Sequence, residues 1–180
     1  TVLNTSCHVD TERTITGSNP WIIQGNENLT SSSTLITITA AANPTTTNRI
    51  FKIEINAILI LQFIKLINGA PSSGNGGAIL METNSKLETY DSMFFNNQAP
   101  NGGAIYASNG ATIKLIDTII SSNTATTGDG GGIYIKDSTS QLIIEGTISE
   151  YNIMKSIIIS NTANGYGKYG GAIYCKESLC

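Results

Sequence analysis

The segment Gly102-Gly103-Ala104-Ile105-Tyr106 decides the fold, because it occurs four times. Its counterparts are Gly76-Gly77-Ala78-Ile79-Leu80, Gly130-Gly131-Gly132-Ile133-Tyr134 and Gly170-Gly171-Ala172-Ile173-Tyr174, at successive spacings of 26, 28 and 40 residues. Self-similarity at such a period is the mark of a solenoid, in which each repeat buries its apolar face against its neighbours. Upstream of each glycine pair lies an asparagine turn: Asn68, Asn97, Asn123 and Asn161. Further upstream, Asp91-Ser92-Met93-Phe94-Phe95-Asn96-Asn97 aligns with Asp117-Thr118-Ile119-Ile120-Ser121-Ser122-Asn123 and with Lys155-Ser156-Ile157-Ile158-Ile159-Ser160-Asn161.

Each repeat therefore reads as a Gly-Gly-Ala-Ile strand, a turn, a second apolar strand, a third short strand ending in asparagine, and a variable glycine-rich loop. The expected fold class is all-β, a right-handed parallel β-helix with an irregular N-terminal cap or arm. Residues 1–33 are expected to form that arm or cap, and residues 34–180 the repeats. Coils stack about 4.8 Å apart with backbone hydrogen bonds along the axis. Ile79, Ile105, Ile133 and Ile173 are expected to form an internal ladder. Asn68, Asn97, Asn123 and Asn161 are expected to form an asparagine ladder, amides bonding coil to coil as in other in-register stacks. Glycine at the corner supplies positive φ and close backbone approach. The widest gap holds an extra segment, about 146–154, read as an insertion that loops out. Trp21, in the irregular first third, is expected to plug the end of the core.

Composition agrees with this reading. The chain has 28 Ile, 22 Thr, 18 Ser, 18 Asn and 18 Gly. The β-branched residues favour strands over helices. Charged residues are 13%, with a net charge of −3, against about 25% in ordinary soluble domains. Neutral polar groups must keep the surface wet. A weakly acidic chain with two arginines offers no footprint for nucleic acid. The longest apolar run, Ile55 to Ile67, is interrupted by Asn56, Gln62 and Lys65 and is shorter than the roughly 20 residues of a membrane span.

The stretch from Arg49 to Tyr174 resembles right-handed parallel β-helix repeat proteins of the pectin-lyase-like class. Its Gly-Gly-Ala-Ile segments, paired with Phe94-x-x-Asn97, look like the tandem GGA[ILV] and FxxN motifs of polymorphic outer-membrane protein adhesins. The pattern departs at Ile120 and Ile158, which stand where the family has Phe, and at Lys65, which stands there before Asn68. The resemblance implies an extracellular or cell-surface location.

Enzymes of this fold class use clustered carboxylates with Arg or Lys, often with calcium. Asp91 and Asp117 fall at equivalent positions, where two carboxylates can share a cation or proton, but Gln62 and Lys155 occupy the flanking equivalents. Asp129 between glycines is a single match to a calcium turn. His8 has no nucleophile partner motif. The chain is expected to be no enzyme and to need no cofactor or metal. Tyr106, Tyr134 and Tyr174 follow the ladder isoleucines and so point outward. They are either a surface ladder that stacks on sugar rings or one that packs on itself. Asn4 and Asn28 head glycosylation sequons. The cysteines admit two readings, a Cys175–Cys180 disulfide in an oxidising compartment or three small buried hydrophobes. The leading functional expectation is a secreted structural protein that partners itself head to tail in a filament or surface layer. A glycan-binding adhesin comes second and a polysaccharide lyase third.

Overall fold

A computed structural model describes residues 7–25, 35–40, 48–146, 156–164 and 169–177 of the chain. The described residues form a parallel β-helix: every strand pairing is parallel, and each strand pairs with its equivalent in the next coil. Three long sheets and one short one run along the axis.

The corner sheet stacks Arg13–Ile15, Phe51–Ile53, Ile79–Met81, Ile105–Ser108, Ile133–Lys136 and Ile173–Lys176. The middle sheet stacks Trp21–Gln24, Ile58–Gln62, Lys86–Tyr90, Thr112–Ile116 and Gln141–Glu145. The third, or asparagine, sheet stacks Cys7–Val9, Ile36–Ala40, Ile64–Ile67, Met93–Phe95, Ile119–Ser121 and Ile157–Ile159. Two-residue strands at Gln98, Thr124 and Thr162 complete the coils.

Alternation sorts each strand into an inner and an outer row. In the middle coils the inner rows are mainly aliphatic and closed to solvent. Ile79, Ile105 and Ile133 are fully buried in one column, with Ile173 above them and Phe51 below. Leu59, Leu87 and Ile113 form a second column, and Leu66, Phe94 and Ile120 a third. Each fully buried aliphatic or aromatic side chain contributes about 1.5–3 kcal/mol. The sheets bend at single residues of positive φ. Phe63, Asp91 and Asp117, at 56°, 45° and 48°, turn the middle sheet into the asparagine sheet.

The N-terminal region differs from expectation. Cys7–Val9, Arg13–Ile15 and Trp21–Gln24 each pair in parallel with the following coil. Residues 7–24 are thus a coil of the solenoid rather than an arm or cap. Their sequence has no glycine pair. Arg49, 8% exposed, donates to the carbonyls of Asn75 (2.7 and 3.1 Å) and Gly76 (2.9 Å) and pairs with Glu12. One guanidinium fork so ties three coils together. Trp21 does not plug the core; it stands half exposed at its end, donating Nε1 to Thr16 O at 3.0 Å. Residues 147–155, which hold most of the expected insertion, lie outside the described residues, as do Asn4 and Asn28.

Candidate functional site

Among the described residues, an extended polar ladder starts at the third corner. Asn68, Asn96, Ser122 and Ser160 have φ of 60°, 55°, 57° and 55°. The left-handed residue turns the next one inward, where Asn97 and Asn123 are buried and Asn161 is partly buried. Gly69 N donates to Asn97 Oδ1 at 2.8 Å, Asn97 N to Asn123 Oδ1 at 2.9 Å and Asn123 N to Asn161 Oδ1 at 3.0 Å. The amide nitrogens run along the same axis, from Asn97 Nδ2 to Asn123 Oδ1 and from Asn123 Nδ2 to Asn161 Oδ1, both 2.9 Å. They also reach the carbonyls of Leu66, Phe94, Ser121 and Ile120. Asn97 is 1% exposed and Asn123 fully buried. The ladder satisfies corner groups that the sheets leave out, which buried polar atoms require.

Asn68 is not part of it. The pairing of Phe94 with Leu66 puts Asn68 level with Asn96 and Gly69 level with Asn97. Asn68 lies on the exposed outside and accepts from Asn96 Nδ2 at 2.8 Å. The Phe94-x-x-Asn97 spacing, counted back one coil, falls on Leu66 and Gly69. The misfit of Lys65 is therefore a register effect; Lys65 points outward, its Nζ 5.0 Å from the Phe95 ring centroid.

The glycine corner follows. Gly102 has φ of 61°, and a Cβ there would lie 2.2 Å from Ile105 O. At Gly103 a Cβ would lie 2.1 Å from Gly131 O in the next coil. The first glycine is needed for its conformation and the second for close packing between coils. Just before the pair runs a second ladder that sequence reasoning missed. Asn101 Nδ2 donates to Asn75 Oδ1 (2.9 Å), Asp129 N to Asn101 Oδ1 (3.0 Å) and Tyr169 N to Asp129 Oδ1 (2.9 Å). Its signal was available in Asn75-Gly-Gly, Asn101-Gly-Gly and Asp129-Gly-Gly. A hydroxyl row was missed too. Ser92 Oγ accepts from Ile64 N and Ser156 Oγ from Thr118 N, both at 3.2 Å, while the Thr89 and Thr118 hydroxyls meet at 2.8 Å. Ser92, Thr118 and Ser156 hold one aligned position in the repeat.

On the outer face of the corner sheet, Lys52, Leu80, Tyr106, Tyr134 and Tyr174 form one column. The rings of Tyr106 and Tyr134 stack at 5.1 Å and 11°, Tyr134 and Tyr174 meet at 5.2 Å and 47°, and Tyr169 stacks on Tyr174 at 6.1 Å. Tyr134, 8% exposed, is covered on both faces. Burial, with the neighbouring Tyr106 and Tyr174, pushes its hydroxyl pKa up to about 12. Burial also raises Tyr106, against the lowering effect of a hydrogen bond with Asn75.

Other carboxylates among the described residues lie at sheet corners or in ion pairs and hydrogen bonds. The pairing of Tyr90 with Ile116 puts Asp91 level with Asp117, and Phe63, not Gln62, occupies the equivalent place in the preceding coil. Burial raises the pKa of Asp91, and the charge of Asp117 adds to the effect. Lys155 lies outside the described residues. For Asp137, burial acts upward but is outweighed by hydrogen bonds from Thr139, the Asn109 amide and Ser140, which hold it at about 2. Lys52 bridges Glu54 and Glu82, and Lys114 pairs with Glu145. Among the described residues no cluster of three metal-ligating side chains occurs, and no helix is long and apolar enough to cross a membrane. Cys175 is disulfide-bonded and Cys7 is a free, exposed thiol; Cys180 lies outside the described residues.

Three segments, residues 91–108, 117–136 and 155–176, match the Chlamydia polymorphic membrane protein (Chlamydia_PMP) repeat. They cover a third of the chain. The first two run from the Asp91 or Asp117 corner through the asparagine ladder and the glycine pair to the end of a corner-sheet strand. No curated protein and no solved structure matches the chain.

Proposed function

We propose that this chain, which carries three polymorphic membrane protein repeats, is a non-enzymatic structural solenoid displayed outside the cell, at the cell surface, and that it assembles with copies of itself. The observation that supports this most is where the polar side chains are used. The asparagine ladder, the Asn75–Asn101–Asp129 ladder and the hydroxyl row bond one coil to the next, and the ion pairs brace neighbouring strands or coils. Such an arrangement favours a stiff, extendable rod. The membrane-protein family of the repeat supports surface display. Sugar at Asn4 and Asn28 belongs to the same reading and would show as a mass shift on enzymatic deglycosylation of the native protein.

The test of assembly is sedimentation velocity over a hundredfold concentration range, with negative-stain electron microscopy of the same samples. Fibres or layers that grow with concentration are expected; monomers throughout would refute the self-assembling role. Release of unsaturated or reducing sugar ends from a uronate polymer would refute the non-enzymatic one.

A glycan-binding surface is the second reading, drawn from the outward tyrosine column. Its rings already stack on one another, which leaves edges and hydroxyls rather than open faces for a sugar, so it ranks below assembly. Glycan-array binding that is lost in Tyr106→Ala and in Tyr174→Ala would reverse that order.

A further inference from the structure

We propose that the tyrosine column of the corner sheet is an oxidative cross-linking site, at which a one-electron oxidant joins Tyr134 to Tyr174 and so ties two coils covalently. The inference goes beyond the structural reading above and needs neither self-assembly nor a bound sugar. Parallel register places Tyr106, Tyr134 and Tyr174 over one another in three successive coils. Coils about 4.8 Å apart bring such rings into contact, and the ring centroids lie 5.1 and 5.2 Å apart.

The column has an entry and a stop. Tyr169, 64% exposed, stacks on Tyr174 at 6.1 Å and 18°, so an oxidant in solvent meets a phenol there. Tyr134, 8% exposed, is shielded from direct attack by its two neighbours. The rings are chemically alike and in contact, so an electron lost from the outer ring is replaced from the next one inward. In the coil before Tyr106 the column continues as Leu80, which has no ring to pass the radical on. The oxidised state is thus kept within the tyrosines.

The chemistry balances as follows. Two tyrosines each give one electron to the oxidant and the phenolic proton to water. The two phenoxyl radicals join through one ring carbon ortho to each oxygen. The hydrogens on those carbons then move to the oxygens, which restores both phenols. One carbon–carbon bond forms, and one hydrogen peroxide, acting through a peroxidase, takes up the two electrons and two protons as two waters. Holding both rings side by side makes the radical encounter a step within one molecule. Tyr106 and Tyr134 lie nearly face to face at 11°, whereas Tyr174 is tilted 47° to Tyr134 and turns a ring edge toward it. The tilted pair is nearer the geometry of the joined product, which selects Tyr134–Tyr174. Like a disulfide, the new bond closes a long loop and restricts the unfolded chain.

The test treats a dilution series of the purified chain with peroxidase and hydrogen peroxide and, separately, with a light-driven ruthenium oxidant and persulfate, and follows dityrosine fluorescence. The yield per molecule is expected to stay constant on dilution. After unfolding, reduction and trypsin digestion, residues 115–136, in which Tyr134 is the single tyrosine, are expected to be joined to residues 169–176. Tyr174→Phe, which keeps a ring in the stack, is expected to lower that cross-link at least tenfold, while Tyr169→Phe retains it. No dityrosine with either oxidant, dityrosine that leaves residues 115–136 uncoupled, a yield that falls with dilution, or a cross-link undiminished in Tyr174→Phe overturns the site.

Discussion

Asn123 Oδ1 accepts two hydrogen bonds from Asn97, one from its backbone N–H and one from its amide nitrogen, both at 2.9 Å. A single buried oxygen so closes one coil onto the next. Leucine at position 123 would leave Asn97 N and Nδ2 without that acceptor in a dry interior, where each unsatisfied group costs about 1–3 kcal/mol. Asn123→Leu is therefore expected to lose about 3 kcal/mol or more by denaturant titration. Asn161→Leu, in a more exposed coil, should lose less. Equal losses would count against the ladder as the source.

The corner makes a sterically graded prediction. Gly103→Ala pushes a methyl group against Gly131 O and the Thr124 backbone, at 2.1 and 2.5 Å, and neither backbone can move without opening the stack. It should cost several times more than Gly17→Ala. That substitution meets nothing within 4 Å at φ of 84° and pays only the conformational penalty of about 1–2 kcal/mol. Thermal unfolding of the two variants separates the mechanisms.

Two aspartates predict opposite responses to acid. Asp137, held at about 2 against 3.8, contributes stability above pH 3.8 that is lost as pH falls through about 2. After allowance for solvent screening that contribution is about 1 kcal/mol. Asp137→Ala and the parent should differ at pH 6 and converge near pH 2. Asp91 has a raised pKa, so its charge costs stability once pH rises past 3.8 and through the folded value. Asp91→Asn should therefore stabilise at pH 7 and have no effect well below 3.8. Urea midpoints across that range decide both.

The tyrosine column predicts alkaline sensitivity. Tyr134 titrates at about 12 in the folded chain against 10.0 ordinarily. The unfolded state ionises first, so stability should fall as pH rises above 10. Tyr134→Phe should remove the latest phase of the ultraviolet phenolate titration and delay alkaline unfolding. A titration with all tyrosines ionising together near pH 10 would contradict the stacking.

The Gly-Gly-Ala-Ile repeats and the β-branched composition point to stacked parallel coils, because glycine pairs and alternation have few other uses at that spacing. The asparagine ladder was legible only in part. Asn97, Asn123 and Asn161 lie at aligned positions, but Asn68 is only the asparagine nearest to the matching place. In the structure Gly69 takes the inner position, since register is set by the positive-φ residue before it. The ladder Asn75–Asn101–Asp129 is hard to read from sequence because its members differ in type and act through backbone amides as well as side chains. The coil at residues 7–24 was hidden because it carries no glycine pair. Arg49, in the next coil, pairs there with Glu12.

The sequence by itself determined that this chain repeats, that each repeat is strand-forming, and which apolar residues alternate inward, since periodicity and residue shape act locally. Only the tertiary structure decided which asparagine turns in, that the first coil joins the stack, and that the tyrosines cover one another. Those outcomes depend on register between coils, and register is fixed by corner geometry and by contacts between residues 26 to 40 positions apart.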